Sequence, residues 1–250
     1  MPKSLLRPGT NAPFVSCIMP TRDRRSFVAQ AISYFGGQDY PHRELIIVDD
    51  GGDSIRGLLP DDPHIHYLRL EGHATIGAKR NLACRQARGE IIVHWDDDDW
   101  MAGWRLRYQV ENLRRQQADV CGLDSLLWLE AGSTQAWQYV YPKAARPWLA
   151  GGTLCYTKAL WRENPFPEIG RGEDTRFVWS HRSKKLLALE DNTFYVALIH
   201  PGNTSPKRPS EPRWQPYAIE KIQRLLGQDW TFYAKLQAMS SDRFDPLLSV

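Results

Sequence analysis

Hydrophobic and polar positions alternate along the chain in two rhythms, short continuous apolar runs and longer stretches of helical spacing. Val15 to Met19 is an apolar run that Pro20 is expected to stop, and an Arg-rich loop leads from it into a helix predicted over about Ser26 to Phe35. Glu44 to Asp49 is a second run, of the kind a strand shows when helices cover both faces of its sheet. Ile65 to Leu70 reads as a third strand. The stretch from Ile76 to Ala87 then carries Ala78, Leu82, Ala83 and Ala87 at helical spacing before Gly89 ends it. A fourth strand, Glu90 to Trp95, runs directly into Asp96-Asp97-Asp98-Asp99, and Leu106, Val110 and Leu113 mark the next amphipathic helix.

Beyond Asp119 the even alternation is lost. Strands are predicted at Val120 to Leu126, Ala136 to Tyr141 and Leu154 to Thr157, then a helix from Glu173 to His181 and strands at Leu186 to Leu189 and Phe194 to Ile199. The Pro- and Ser-dense loop HPGNTSPKRPSEPR follows. Ala218, Ile222, Leu225 and Leu226 suggest one C-terminal amphipathic helix, and Trp230, Tyr233 and Ala234 a second. Strands alternating with helices at these lengths imply an α/β fold, a mostly parallel central sheet flanked by helices, with a more mixed second half. The division expected is an arm over 1–13, one domain over 14–200 with halves 14–119 and 120–200, and a flexible loop plus helices over 201–250.

Composition changes this picture little. The chain has 250 residues, 42% hydrophobic and 24% charged, with a formal charge of +3 and no Lys/Arg run long enough for a nucleic-acid stripe. Arg22, Arg24 and Arg25 instead suggest a local anion site. The four cysteines show neither zinc spacing nor a disulfide framework, and no segment has signal-peptide or membrane-spanning character, so a cytoplasmic location is expected. The C-terminal helices are compatible with peripheral contact at the inner membrane face, although neither has a dense cationic side.

Ligands of an open parallel sheet bind beyond the carboxyl ends of its strands. Pro20-Thr21-Arg22-Asp23, Asp49-Asp50-Gly51, the helix start at Gly77 to Asn81 and the Asp quartet all fall there. Four adjacent carboxylates near a folded core call for a compensating cation, and Mg²⁺ or Mn²⁺ held by one or two carboxylates plus phosphate oxygens suits an Asp-x-Asp. A solvated acidic loop is the plain alternative. Lys79 and Arg80 at a helix start suit a diphosphate, or simply the solvent. Glu173 and Asp174 suit a helix N-terminus on dipole grounds alone.

VSCIMPTRDR, ELIIVDDGG, GAKRNLACRQARGEIIVHWDDDDW and GRGEDTRFVW, in this order, resemble the motifs of the family 2 glycosyltransferases of GT-A fold, over roughly Val15 to Ile199. The resemblance implies a metal-dependent, inverting transfer of a sugar from a nucleotide-diphosphate sugar, UDP first, to a hydroxyl acceptor in glycan, polysaccharide or glycolipid synthesis. It implies nucleoside contacts from Pro20 and Thr21 and a base contact from Asp50, and Arg22 of the same loop is a further candidate for donor binding. It also implies ribose contact by Asp97 and a donor-sugar wall at Gly152. Asp96 and Asp98 would form the metal pair, the register 97 and 99 being the other choice, and His200 is a further candidate metal ligand. Asp174 would be the catalytic base with Glu173 beside it. Apart from the resemblance, the Gly-Asn-Thr-Ser-Pro composition of the loop suggests that Lys207 and Arg208 close over the diphosphate, and Trp104, Trp137, Trp148 and Trp161 are candidates for a platform under a glycan or lipid-linked acceptor. A nucleotidyltransferase is disfavoured because no glycine-rich loop follows the first strand. A catalytically silent nucleotide or glycan binding module is the remaining alternative.

Overall fold

The structure is a computed structural model and describes residues 12–180, 185–205, 207 and 209–241. The arm, Arg208 and the expected helix end at His181 lie outside the described residues, apart from residues 12 and 13.

The first half folds as its periodicity requires. Strands β1 (Val15–Thr21), β2 (Arg43–Asp49), β3 (Ile65–Arg69) and β4 (Ile91–His94) alternate with helices α1 (Arg25–Gly36) and α2 (Ile76–Gln86), and α3 (Arg105–Arg115) follows β5 (Trp100–Met101). The second half adds β6 (Val120–Gly122), β7 (Ser125–Glu130), β8 (Ala136–Val140), β9 (Cys155–Thr157), α4 (Lys158–Glu163) and α5 (Glu173–Ser180). Strands β10 (Leu186–Ala188), β11 (Tyr195–Ile199) and β12 (Trp214–Pro216) and helices α6 (Ile219–Leu226) and α7 (Trp230–Ser241) complete it. A seven-stranded sheet in the order β10-β6-β9-β4-β1-β2-β3 forms the centre, antiparallel only where β9 pairs with β4 and β6. A second sheet, β12-β8-β7-β11-β5, lies beside it.

Alternate residues of the central strands feed two apolar layers. Ile18, Ile46, Val48 and Ile92 pack with Ala83 and Cys84 of α2 and Phe177 of α5 on one side. Cys17, Met19, Leu45, Ile47 and Val93 pack with α1 and α3 on the other, and that layer continues into the second sheet and the C-terminal helices. Tyr233 of α7 lies within hydrogen-bond distance of Tyr34 of α1, 3.2 Å, and the Trp100 indole donates to Asp229 at 2.9 Å. Among the described residues no helix is long and apolar enough to cross a membrane.

Three expectations change. Pro20 does not stop the first strand: it stays in register with Val48, and the ladder to β4 has already ended at Ile18, so its missing N–H leaves no bond unmade there. The run Val120 to Leu126 is two strands in two sheets. The chain crosses between them at Leu123, whose N–H donates to Thr153 Oγ1 at 2.9 Å. Strands β5 and β12 and helix α4 are too short for periodicity to announce; α4 is capped by Thr157, whose hydroxyl accepts from Leu160 N–H at 3.2 Å.

Candidate active site

The carboxyl ends of β1 and β4, the start of α2, the turn at Gly151–Thr153, the start of α5 and strands β7 and β11 surround one cavity of about 460 Å³. Pro20, Thr21, Arg22, Lys79, Arg80, Asp96 to Asp99, Gly152, Glu173 and Asp174 line it. Asp50 and His200 stand behind the wall.

Each carboxylate of the quartet has a different employment. Asp99 accepts from the Tyr195 hydroxyl and, at 2.8 Å, from Leu198 N–H, so it fastens β4 to β11. Burial and the neighbouring Asp98 and Asp96 charges push its pKa well up. Asp97 accepts from Thr21 Oγ1 at 2.6 Å and from Arg24 at 2.7 Å; its pKa is raised by burial against the pull of Arg24. Asp98 accepts from Arg24 and from His200 Nε2, both at 2.8 Å. Burial raises its pKa, but the His200 bond and the Arg24 charge outweigh burial and hold it low. Asp96 has the most exposed side chain of the ion-paired members, 27%, and only a long contact to Arg80 at 3.4 Å. Its pKa is raised by burial, which exceeds the lowering by Arg80.

Internal cations therefore share the compensation that the sequence had assigned to a divalent ion. Arg24 bridges Asp97 and Asp98 and also donates to the Gly202 carbonyl at 2.5 Å. Arg105 is wholly buried with no carboxylate in contact; it donates to the carbonyls of His94 and Gly152 at 2.8 Å each and sits over the rings of Trp95 and Tyr195. His200 Nδ1 accepts from Gly202 N–H at 3.2 Å, so Nε2 bears the hydrogen directed at Asp98. A metal at Nε2 would have to replace that proton. Among the described residues no three His, Cys, Asp or Glu side chains converge as a ready metal cage.

Glu173 and Asp174 diverge although adjacent. Glu173 is buried and paired with Arg80, and its pKa is raised chiefly by burial, against the lowering by Arg80. Asp174 faces the cavity. A Cβ on Gly151 would lie 1.9 Å from its Oδ2, and a Cβ on Gly152 would lie 2.5 Å from Asp96 Oδ2 and 2.2 Å from the Tyr195 hydroxyl. Only glycines leave room for the two carboxylates to flank this turn. Buried His94 holds the turn from behind by donating from Nδ1 to the Gly151 carbonyl at 2.7 Å.

The base-side residues are more committed than the sequence suggested. Asp50 has no exposed side-chain surface: Lys79 Nζ donates to it at 2.6 Å, His73 at 2.9 Å and Ala74 N–H at 2.8 Å. Lys79 also donates to the Thr21 carbonyl at 3.0 Å, so its ammonium braces the nucleoside-side loops rather than standing free for a diphosphate. The aromatic expectation also shifts. Trp161 is buried beside Asn81, and Trp104 packs on Tyr108 and Phe194, whereas Trp148 and the unforeseen Trp128 line the cavity. Arg24 was legible only as part of an Arg-rich loop. Arg105 carries no signal at all, because in sequence it reads as the solvated start of a helix.

The sequence profile described as glycosyl transferase family 2 matches residues 16–156, more than half the chain. The chain belongs to this family. Among its curated family relatives is the putative teichuronic acid biosynthesis glycosyltransferase TuaG of Bacillus subtilis, 33% identical over 104 residues that cover 40% of this chain and 41% of the relative. Another is the GalNAc(5)-diNAcBac-PP-undecaprenol beta-1,3-glucosyltransferase of Campylobacter jejuni, 28% identical over 116 residues, 44% of this chain and 38% of the relative. The aligned part thus spans less than half the length of either. Solved family-like structures share the GT-A fold. S. aureus TarS in complex with UDP superposes with TM-score 0.58 at 22% identity over 75% of this chain and 61% of that chain. The Pyrobaculum calidifontis mannosyltransferase PcManGT with GDP-Man and Mn²⁺ gives TM-score 0.62 at 16% identity, over 98% of this chain and 80% of that one.

Proposed function

We propose that the chain transfers a sugar from a nucleoside-diphosphate sugar, UDP first among the nucleotides, to a hydroxyl of a glycan or lipid-linked acceptor, in one inverting displacement. The observation that carries this reading is the placement of Asp174 and Asp96 against the two adjacent glycines of one turn, in one cavity. An acceptor hydroxyl is a weak nucleophile, and a carboxylate within reach can take its proton as it attacks the anomeric carbon. Asp174 suits that role because, unlike Glu173, it has no cation paired to it among the described residues. Glu173 and Arg80 position the turn of α5 that carries it. A base on the acceptor side and a leaving diphosphate on the quartet side place the attack opposite the departing group, which is inversion.

The residues present fit a hard divalent ion of the Mn²⁺ or Mg²⁺ type. Asp98 and Asp96 offer oxygens, and His200 would offer Nε2 once the ring hydrogen moves to Nδ1, with phosphate oxygens completing a partial protein set. When bound, such an ion supplies charge neutralisation for the departing diphosphate. The Asp-x-Asp register at 96 and 98 is supported by Asp99, whose oxygens are both taken by β11. Arg80 Nε, buried with no partner among the described residues, is a donor left for a phosphate oxygen. Thr21, Pro20, Arg22 and Asp97 line the nucleoside side, with Asp50 and Lys79 setting the loops behind them.

A thermal-shift series with nucleoside diphosphates and their sugars, with and without Mn²⁺, tests the reading, since ligand binding raises apparent stability with affinity. A midpoint raised by one nucleotide and raised further with Mn²⁺ is expected. No shift with any of them would sink it. Asp174→Asn is expected to keep that donor shift while lowering kcat by roughly 10²- to 10⁴-fold.

A further inference from the structure

The second sheet presents one face to the core and the other to the mouth of the cavity. Directly paired residues share a face. Trp128 pairs with Trp137 and Ala197, and Leu126 with Tyr139, which itself pairs with Trp214, so these six lie on one side. Leu127, Leu129, Ala136, Val196 and Leu198 on the opposite side are buried in the core. The cavity-side face is an aromatic shelf. Ring centres are 5.3 Å apart from Trp128 to Trp214, 5.2 Å from Trp214 to Tyr139 and 5.8 Å from Tyr139 to Trp148, and Tyr141 stacks on Trp148 at 5.1 Å. All five rings are half-buried, leaving ring surface toward solvent.

The shelf is continuous with the reaction site. Trp128 and Trp148 line the same cavity as Asp174, and the Trp148 indole donates to Thr175, the residue after it, at 3.2 Å. Trp128 Nε1 is buried with no hydrogen-bond partner among the described residues. Lys207 sits over the Trp128 ring, and Arg213 sits near Tyr141 and donates to the Tyr139 hydroxyl.

We infer that this aromatic face is the acceptor site and that it takes a carbohydrate chain of at least two sugar residues. Flat, partly wet rings edged by hydrogen-bond donors match a sugar, whose C–H face is apolar and whose rim is hydroxylated. A lipid tail would need an aliphatic groove, whereas Leu126 and Ala197 of this face are buried and what it leaves toward solvent is tryptophan and tyrosine. The rings beyond Trp128 and Trp148 extend past the area that a single sugar seated at Asp174 would cover. The inference rests on the transferase reading for its orientation toward Asp174, though not for carbohydrate binding itself.

The test is an array of immobilised microbial oligosaccharides probed with the full chain in the presence of UDP and Mn²⁺, followed by titration of the best-bound glycan and of its terminal monosaccharide. At least one oligosaccharide should bind, and the monosaccharide should bind roughly tenfold more weakly or worse. Trp214→Ala should weaken glycan binding by roughly tenfold, with Trp214→Phe recovering most of it, while the nucleotide-induced thermal shift stays at its unsubstituted value. Glycan binding without any nucleotide shift would defeat the donor reading and leave this one standing. A nucleotide shift with no glycan bound, equal binding of monosaccharide and oligosaccharide, or full binding by Trp214→Ala would overturn it.

Discussion

Arg24 shows how much of the site is decided by single side chains. Its guanidinium lies between Asp97 and Asp98, and burial alone would lower its pKa, yet those two carboxylates raise it. A divalent ion at Asp98, as proposed, would meet this resident charge. Removing one partner of a buried ion pair costs about 3–5 kcal/mol, so Arg24→Gln should have a lower thermal midpoint without metal. Mn²⁺ should then raise that midpoint by more than it raises the unsubstituted protein. Equal Mn²⁺ responses would show that Arg24 does not stand in for the ion. The sequence placed Asp96 to Asp99 at a strand tip correctly but could not divide their labour. Which carboxylate meets Tyr195 and which meets Thr21 depends on strands that arrive about a hundred and about eighty residues away in the chain.

At the scale of elements, α2 owes its position to a glycine. A Cβ on Gly77 would lie 2.0 Å from the Pro167 carbonyl oxygen and 3.0 Å from its carbonyl carbon, backbone that no rotamer change can move. Gly77→Ala should therefore destabilise the fold by about 1–3 kcal/mol, as overpacking does, read as a lower urea midpoint. It should also weaken nucleotide binding, because Lys79 and Arg80 ride on the same helix. An unchanged midpoint would mean the loop at Pro167 yields freely. The long elements were readable because period 2 and period 3.6 persist over many residues. The second sheet was not, since β7 and β8 look like any apolar strands and β12 is three residues long. That is why Trp161 and Trp128 could exchange roles: a tryptophan looks the same in a core and on a shelf until the strand partners are known.

Across the whole molecule, the amino ends of the central strands β1 and β2 carry an ion cluster remote from the cavity. Glu44 accepts from Ser16 Oγ at 2.6 Å and from Arg88 N–H and Nε at 2.7 Å each. Burial opposes its charge, but the bonds from Ser16 and Arg88 prevail and hold its pKa below the ordinary 4.5. A carboxylate depressed in the folded state stabilises above its unfolded pKa, and that contribution is lost as pH falls through the folded value. Glu44→Gln should thus lower the urea midpoint at pH 7, with the difference from the unsubstituted protein shrinking as pH drops below about 4.5. A gap that stays constant down to pH 3 would contradict this. The α/β class and the central parallel sheet were legible from strand and helix alternation. The way α6 and α7 close back on α1 and β5 was not, because their apolar faces give no address.

That return has a practical meaning. Asp229 receives the indole hydrogen of Trp100, the residue immediately after the quartet. The tail of the fold is latched to its acid corner. Any shortening that removes position 229 unfastens Trp100, and with it the short β5 strand that borders Asp99. Trimming a segment remote in sequence from the quartet would then loosen the strand that borders it along with the packing of α7 on α1.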